Sequence, residues 1–346
     1  MPTLLEQEIA DQPEVLERFL ASAGESTRRV AAEISRRGVS YIMIAARGSS
    51  DNAARYAQYL FGARNHLPVA LATPSLYTLY DSPPRLDGAL VIGISQSGRS
   101  PDIISVLETA RAQSRPCLAI TNDPSSPMAL AADWIVPLAA GEERAVAATK
   151  TYTTTLGALA LFSTSLSGDA AAREDLAHIP GQMRLALTQA QGMGPHVERY
   201  RYAKGSAVIG RGFNYGTAFE IALKVKELTR LVIEPYSSAD FLHGPISILE
   251  PGFPLIIVAP TGRTLPDLDQ LAGEALQRGA ELIVISDDSD LLKRAHTPLP
   301  LPRNTPEWLS PLVTVLPGQL FAAHLARAKG LDLDRPVGLS KVTQTR

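Results

Sequence analysis

The chain repeats one pattern of strand ends about half-way along its length, and this repeat constrains its fold more than any other feature. Three short segments of the first half recur in the second half at a shift of 164 or 165 residues. They are Arg47-Gly48 with Arg211-Gly212, Gly98-Arg-Ser100 with Gly262-Arg-Thr264, and Ile120-Thr-Asn-Asp123 with Ile285-Ser-Asp-Asp288. Two unrelated α/β domains would also have glycines after apolar strands, but here the Gly-Arg-Ser/Thr sequence is repeated as well. The sequence therefore predicts an internal duplication of one unit.

Short apolar runs without polar alternation occur in both halves and are typical of buried parallel strands. Such runs cover 41–46, 89–94, 117–120, 134–137, 206–210, 254–258 and 281–285. Helical stretches follow several of them, for example 52–61 and 101–113, which is the order of elements in βαβ units. We therefore predict an α/β fold in which each copy is a parallel, doubly wound sheet flanked by helices.

These patterns predict five segments along the chain. Two helical segments come first, two α/β subdomains follow with a linker between them, and a tail ends the chain. The predicted bounds are 1–37 for the N-terminal helices, 38–167 for the first subdomain, 168–198 for the linker, 199–330 for the second subdomain and 331–346 for the tail. Within the linker we predict a connection at 168–177 and a helix at 179–191.

Composition excludes several classes of partner. Lys and Arg number 33 and Asp and Glu 35 among 346 residues, so the near-neutral chain has no electrostatic footprint for nucleic acid or an anionic membrane. No apolar run approaches the length of a membrane span, and the acidic N-terminal segment does not have the pattern of a secretory signal. Cys117 is the single cysteine, so nothing points to an oxidising compartment. We expect a cytoplasmic protein.

Hydroxyl groups collect where two predicted strands of the first subdomain end. Ser95-Gln96-Ser97-Gly98-Arg99-Ser100 lies between a strand and a helix, and Ser49 and Ser50 follow the preceding strand. Ligands of open α/β sheets bind at the carboxyl ends of strands, where a helix N-terminus offers N–H groups and a positive dipole. A hydroxyl-rich capping turn would have the same composition, yet this position favours a cradle for a phosphate monoester. The matching loop of the second copy, Ala259-Pro-Thr-Gly262, has lost the serines and the glutamine, so we expect phosphate binding by the first copy alone.

Ionisable residues at helical spacing mark the second subdomain. Glu220, Lys224 and Glu227 share one face of a predicted helix, a spacing that most often means a solvated stripe of salt bridges. His243 follows sixteen residues after Glu227, on a loop constrained by the Gly244-Pro245 pair. Taken alone, this histidine would be interpreted as a surface or packing residue.

The tail carries Lys341 five residues before the C-terminus. An ordinary lysine in a frayed tail is one interpretation. The apolar residues of the tail predict instead that it packs down, and they are Leu331, Leu333, Val337 and Leu339.

Taken together, these segments resemble the sugar isomerase (SIS) family of phosphosugar-binding proteins, and more closely the isomerase half of glucosamine-6-phosphate synthase. The resemblance covers essentially the whole chain, from Glu8-Ile9 and Gln12-Pro13 to the final residues. The matching motifs are Ser95-Gln-Ser-Gly98, Val146-Ala-Ala-Thr-Lys150, Lys224-Val-Lys-Glu227, His243-Gly-Pro245 and Leu339-Ser-Lys341. The resemblance implies two tandem SIS subdomains.

The resemblance also implies a role for each candidate site residue. Hydroxyl and amide groups would hold the phosphate, namely those of Ser49, Ser50, Ser95, Gln96, Ser97 and Ser100, while Val146 and Ser340 would contact the sugar. Glu227 would move a proton between C1 and C2, with Lys224 and Glu220 beside it. His243 would open the sugar ring from the neighbouring subunit of a homodimer, and Lys341 would form a Schiff base with the open-chain ketose. The implied ligand is a phosphorylated amino sugar, with no metal or other cofactor.

Departures from the synthase pattern bear on the reaction. The synthase begins with a glutaminase domain, for which we expect no counterpart in this chain, and Arg47-Gly-Ser-Ser50 and Arg99 resemble the stand-alone glucosamine-6-phosphate deaminases of this fold. The first hypothesis is therefore a deaminase that converts glucosamine 6-phosphate and water to fructose 6-phosphate and ammonia. A second is an enzyme like glutamine–fructose-6-phosphate aminotransferase (isomerizing) without its glutaminase, acting on this or another amino-sugar phosphate. A third is a non-catalytic sugar-phosphate sensor, against which the joint presence of Glu227, His243 and Lys341 argues.

Overall fold

A computed structural model describes residues 2–341, and these residues form two compact units. The first unit comprises residues 14–143, 150–177 and 340–341. The second unit comprises residues 2–13, 144–149 and 178–339. Each unit is built on one five-stranded sheet.

The first sheet is parallel throughout. Its strands are β1 (Tyr41–Ala45), β2 (Val69–Leu71), β3 (Ala89–Ser95), β4 (Cys117–Thr121) and β5 (Trp134–Pro137). They lie in the order β2-β1-β3-β4-β5, so that β3 is central. Because every residue of β3 is buried, its sequence from Ala89 to Ile94 is an uninterrupted apolar run rather than an alternating one.

The second sheet repeats this topology. Its strands are β6 (Gly205–Gly210), β7 (Val232–Ser237), β8 (Pro254–Val258), β9 (Glu281–Ser286) and β10 (Thr297–Pro300). They are parallel and lie in the order β7-β6-β8-β9-β10. In both sheets, the second strand along the chain lies at one edge, and the first, third, fourth and fifth strands follow it in that order. The predicted α/β fold of two duplicated, doubly wound sheets is therefore confirmed.

Helices flank both sheets. They are α1 (Leu4–Ala10), α2 (Gln12–Ser35), α3 (Ser49–Asn65), α4 (Ser75–Thr78), α5 (Pro101–Ala112), α6 (Pro127–Leu130), α7 (Lys150–Ser167), α8 (Ala170–Gln189), α9 (Gly194–Val197), α10 (Tyr215–Thr229), α11 (Ser238–Leu242), α12 (Leu265–Gln277), α13 (Ser289–Arg294) and α14 (Pro311–Ala328). Short 3-10 turns occur at Glu198–Tyr200, Gly212–Asn214, Pro245–Ile248 and Glu307–Leu309. Within residues 2–341, no helix is both long enough and apolar enough to span a membrane.

Three strands lie outside the predicted apolar runs, and all three are at sheet edges: β2, β7 and β10. An edge strand pairs on one side only, so it tolerates prolines that lack an N–H donor, such as Pro235 in β7 and Pro298 in β10. The predicted connection at 168–177 is wrong, since α8 begins at Ala170 and continues through Pro180.

Each unit has its own apolar core. In the first unit β3 packs against α5, where a Cβ placed on Gly93 would lie 2.8 Å from Cδ1 of Leu107. Glycine at this position therefore allows the helix to approach the sheet closely. Cys117 is fully buried in the same cluster. In the second unit the core joins β8 and β9 to α12, with Leu255 and Leu271 among its members.

The tail of the second unit is anchored by a carboxylate more than by apolar packing. Leu333 is 3% exposed, but Val337 and Leu339 are 69% and 46% exposed, so the prediction of a packed apolar tail is correct only in part. Asp334 accepts hydrogen bonds from two backbone N–H groups in the first turn of α1, each at 3.0 Å. These are donors that a helix N-terminus leaves without an intrahelical partner, and a carboxylate there is favoured by the helix dipole.

Candidate functional site

The candidate phosphate cradle lies at the carboxyl edge of the first sheet, where β1 and β3 are neighbours. The helices that follow these strands, α3 and α5, both begin at this edge. In sheets of this strand order, the junction of β1 and β3 is the switch point at which ligands bind. Ser49 and Ser50 are the first residues of α3, and Ser100 directly precedes α5. The fold thus gathers at one sheet edge the hydroxyls that the sequence predicted for phosphate.

The Ser95–Ser100 segment is a tight turn stabilised by its own hydroxyls. Oγ of Ser95 accepts a hydrogen bond from the N–H of Gly98 at 3.1 Å, and Oγ of Ser97 accepts one from the N–H of Arg99 at 3.3 Å. Gly98 has φ +62°, and a Cβ on it would collide with the side chain of Ser126. Glycine is therefore required here both for its backbone conformation and for space.

An ion pair braces the starts of the two helices at this edge. Nε of Arg47 lies 2.7 Å from Oδ2 of Asp102, whose side chain is fully buried. The second unit repeats the brace with Arg211 and Asp267, at 2.8 Å between Nη1 and Oδ2. Because the pair recurs in both copies, it belongs to the duplicated framework.

The corresponding loop of the second unit is filled by a side chain of the same unit. The carboxyl group of Glu307 packs against Gly262 and occupies the space that a Cβ there would need. The N–H of Thr261 already donates to Oδ1 of Asp287 at 2.6 Å. Two carboxylates at this loop disfavour a phosphate, since like charges repel.

Helix α10 of the second unit carries a buried charge cluster. Nζ of Lys224 lies 2.7 Å from Oε2 of Glu227 and 3.4 Å from Oε1 of Glu220. The side chains of Glu220 and Lys224 are 0% and 1% exposed, while that of Glu227 is 23% exposed. A solvated stripe of salt bridges is therefore the wrong interpretation of this spacing. Of the three side chains in the cluster, that of Glu227 is the one accessible at the surface of the unit.

His243 stands at the surface of the second unit. It directly follows α11 and precedes Gly244, whose φ of +134° turns the chain sharply into the next 3-10 turn. Two apolar side chains near it in sequence are also exposed, Leu242 at 37% and Ile248 at 42%.

Lys341 contacts a carboxylate that the sequence analysis did not single out. Its Nζ lies 2.9 Å from Oε2 of Glu143, whose side chain is fully buried. The carboxylate is held at the start of α7, where Thr151 donates its N–H to Oε1 at 3.0 Å and its hydroxyl to Oε2 at 2.8 Å. Glu143 lies three residues before Val146 of a matching motif, but no spacing in the sequence links it to a lysine 198 residues away.

Hydrogen bonds also connect the cradle to the segment that carries Glu143, within the first unit. The N–H of Asn122, just after β4, donates to the carbonyl of Gln96 at 3.2 Å. The Asn122 side chain accepts from the N–H of Ala140 and donates to the carbonyl of Gly141, both at 2.8 Å. Asn122 therefore holds the segment that precedes Glu143 at the same sheet edge as the Ser95–Ser100 turn.

Val146 is half-buried in a segment of the second unit that Glu8 holds in place. The buried carboxylate of Glu8 accepts hydrogen bonds from the N–H groups of Arg144 at 2.6 Å and Ala145 at 3.2 Å. This contact accounts for the glutamate of the N-terminal motif. Ser340, the other predicted sugar contact, is exposed next to Lys341.

The sequence profile of the SIS domain matches residues 37–165 and 200–328. The chain belongs to the SIS family. Each SIS domain contains one complete five-stranded sheet, β1 to β5 in the first and β6 to β10 in the second.

The relatives of these SIS domains are sugar-phosphate proteins. The glutamine–fructose-6-phosphate aminotransferase (isomerizing) of Thermococcus kodakarensis is 32% identical over 350 residues, which is 98% of this chain and 58% of that protein. The chain thus spans a little over half the length of such relatives, and it corresponds to their isomerase half. The C-terminal domain of the glucosamine-fructose-6-phosphate aminotransferase of Francisella tularensis is 27% identical, with a TM-score of 0.87 over 97% of this chain and 99% of that one. A candidate phosphosugar isomerase from Silicibacter pomeroyi is 32% identical, with a TM-score of 0.86 over 96% of this chain and 100% of that one.

The candidate residues are divided between the two units that carry the SIS domains. The first unit holds Ser49, Ser50, Ser95, Gln96, Ser97, Ser100, Ser340 and Lys341. The second unit holds Val146, Glu220, Lys224, Glu227 and His243. The first unit thus supplies hydroxyls and a paired lysine, and the second supplies a buried acid–base cluster and an exposed histidine.

Proposed function

We propose that this SIS protein is a deaminase that converts glucosamine 6-phosphate and water to fructose 6-phosphate and ammonia. The observation that carries the proposal is the buried cluster of Glu220, Lys224 and Glu227. Burying an ammonium and a carboxylate costs desolvation energy, which a protein that only binds a sugar phosphate has no need to spend. A carboxylate fixed by a buried cation and accessible on one side is suited to move a proton between neighbouring carbons.

The phosphate would be held by the hydroxyls at the switch point of the first SIS domain. Hydroxyls and helix N-termini bind a phosphate dianion through directed hydrogen bonds without a guanidinium. Gly98 supports this role, because its conformation shapes the Ser95–Ser100 turn.

The chemistry would begin with the open-chain form of the sugar. His243 would pass a proton between the ring oxygen and O1, since imidazole exchanges protons near neutral pH. Glu227 would then remove the proton from C2 and return it to C1, which leaves the amino group as an iminium at C2. Lys224, 2.7 Å from Glu227, fixes the carboxylate in one position for both transfers. Water would supply the oxygen of the C2 ketone of fructose 6-phosphate, and ammonia would leave C2 to complete the reaction.

The proposed assembly is a homodimer in which His243 serves the site of the partner subunit. Its exposure and that of Leu242 and Ile248 support a surface that another copy covers. The test is complementation between two inactive variants, His243→Ala and Glu227→Gln. If sites are shared, subunit exchange restores one intact site in each mixed dimer, or about a quarter of wild-type activity. No activity in the mixture, with exchange shown by native mass spectrometry, would contradict shared sites.

Ammonia release tests the reaction directly. Purified protein is given glucosamine 6-phosphate, galactosamine 6-phosphate or glucosamine, and ammonia is measured over time. We expect release from glucosamine 6-phosphate that falls about 100- to 10,000-fold in Glu227→Gln, the range that general acid–base groups contribute. Glu234→Gln is the matched control, because it makes the same change at an exposed carboxylate of the same unit. Wild-type protein that binds glucosamine 6-phosphate but releases no ammonia would refute the proposal.

A second candidate is an aminotransferase-like isomerase, which the 32% identity to the Thermococcus kodakarensis protein favours. Fructose 6-phosphate supplied with an ammonium salt would then give glucosamine 6-phosphate, or fructose 6-phosphate alone would give glucose 6-phosphate. Both products are measured in the same preparations. Sugar-phosphate binding without turnover in either direction would point to a sensor.

A further inference from the structure

We propose that Glu143 is a catalytic residue, which takes a proton from Lys341 and delivers it to the departing ammonia. The inference rests on the proposed function, because it concerns the step at which the C2 amine is lost.

The geometry places a fixed acceptor against a reactive amine. Oε2 of Glu143 lies 2.9 Å from Nζ of Lys341. Thr151 binds both oxygens of the carboxylate, through its N–H and its hydroxyl, so the acceptor is held in one orientation. The Glu143 side chain is fully buried, whereas that of Lys341 is 26% exposed. The base is therefore the rigid member of the pair, and the amine is the member open to a substrate.

The chemistry requires such an acceptor. A lysine ammonium has no lone pair, so it cannot attack carbon until a base has taken one proton. With Glu143 as that base, the neutral amine adds to the C2 iminium and forms the N–C2 bond of a geminal diamine. The protonated Glu143 then gives its proton to the original amino group and takes a second proton from the Lys341 nitrogen, which the addition had left as an ammonium. The lone pair freed on that nitrogen forms the new C2=N bond while the old C2–N bond breaks, and ammonia departs. Lys341 is left as a protonated imine at C2 and Glu143 as a carboxylic acid, so protons and charge balance before water hydrolyses the imine.

A purely structural salt bridge is the competing explanation, since the contact also holds Lys341 in place within the first unit. The two explanations differ in what a glutamine at 143 would do. Glutamine keeps an oxygen for the N–H of Thr151 and a polar group facing Lys341, but it cannot take a proton. A structural role predicts a modest effect on imine formation, while a catalytic role predicts a large one.

Reductive trapping measures the imine step without ammonia release. The full-length protein is incubated with fructose 6-phosphate and sodium borohydride, and the peptide that contains Lys341 is followed by mass spectrometry. We expect trapping in wild type, none in Lys341→Ala, and a rate constant lowered at least about 100-fold in Glu143→Gln. Glu142→Gln is the matched control, because the neighbouring glutamate is exposed. Equal trapping in wild type and Glu143→Gln would overturn the proposal.

Chemical rescue separates a lost base from a displaced tail. Glu143→Ala should regain trapping when sodium formate is added, because formate fits the vacated space and accepts a proton, whereas sodium chloride should not restore it. Failure of formate to rescue a folded Glu143→Ala protein would count against the base. Wild type that releases ammonia without trapping would overturn this inference and leave the deaminase standing. Trapping that depends on Glu143 in a protein that releases no ammonia would do the reverse.

Discussion

Replacing Lys224 with methionine tests whether the α10 cluster is as buried as the structure has it. Methionine has a similar length and no charge, so the substitution removes the cation that lies 3.4 Å from Glu220 and 2.7 Å from Glu227. Removing one partner of a buried ion pair costs about 3–5 kcal/mol, because the other charge stays out of water. For a domain of this size, that corresponds to a loss of roughly 6–20 °C in melting temperature.

The assay is urea unfolding followed by tryptophan fluorescence. The chain has two tryptophans, and Trp134 lies in the first unit whereas Trp308 lies in the second with the cluster. In a Trp134→Phe background, Trp308 alone reports on unfolding of the second unit. Adding Glu220→Gln to Lys224→Met should recover part of the lost free energy of unfolding, since it removes one of the buried charges left behind.

Lys226→Met is the control, since it makes the same substitution on the same helix. Lys226 pairs with Glu234 at 3.4 Å, but both side chains are about half exposed. Exposed pairs are worth about 0–1 kcal/mol. A Lys224→Met protein no less stable than Lys226→Met would refute the reasoning, and the cluster would then be a solvated stripe.

Three further predictions concern the first unit and the packing of α14. Gly98→Ala should weaken binding of glucosamine 6-phosphate at least tenfold by calorimetry while the fold is kept, because φ +62° and the Ser126 side chain both oppose a Cβ. Burial, aided by the Asp133 carboxylate, raises the pKa of Cys117 to about 12, so iodoacetamide at pH 8 should leave it unmodified until the protein is unfolded. Burial lowers the pKa of His324 below its ordinary 6.5, so the unfolded chain binds more protons than the folded one just below neutral pH. The free energy of unfolding should therefore fall as the pH falls from about 7 to about 5, and His324→Gln should reduce that slope.

The central strands of the fold could be predicted from the sequence, because a strand that is buried on both faces is a continuous run of apolar residues. The strand β3 is apolar from Ala89 to Ile94, and a glycine-containing turn follows directly at its carboxyl end. The edge strands β7 and β10 lack such an apolar run, because one side of each carries no ladder and accepts proline. The linker helix α8 begins at Ala170, ahead of its predicted start at 179, and it contains Pro180, a residue type that is more usual in the first turn of a helix.

The candidate site divides in the same way. The hydroxyl turn was predictable because a strand end and a helix start adjoin along the chain. Spacing placed Glu220, Lys224 and Glu227 on one face, but the same spacing serves exposed and buried helices, so only the structure distinguishes them. The pairing of Glu143 with Lys341 joins residues 198 positions apart, and no local pattern encodes a contact at that distance.

The carboxyl group of Glu307 has a consequence for how many ligands the chain can carry. A duplicated chain begins with two equivalent places for the same anion, and both would fill at high concentration. In the second copy the carboxylate of Glu307 lies against Gly262, in the position that the anion would take. Titration with a sugar phosphate should therefore saturate at one equivalent per chain, even though the architecture is twofold.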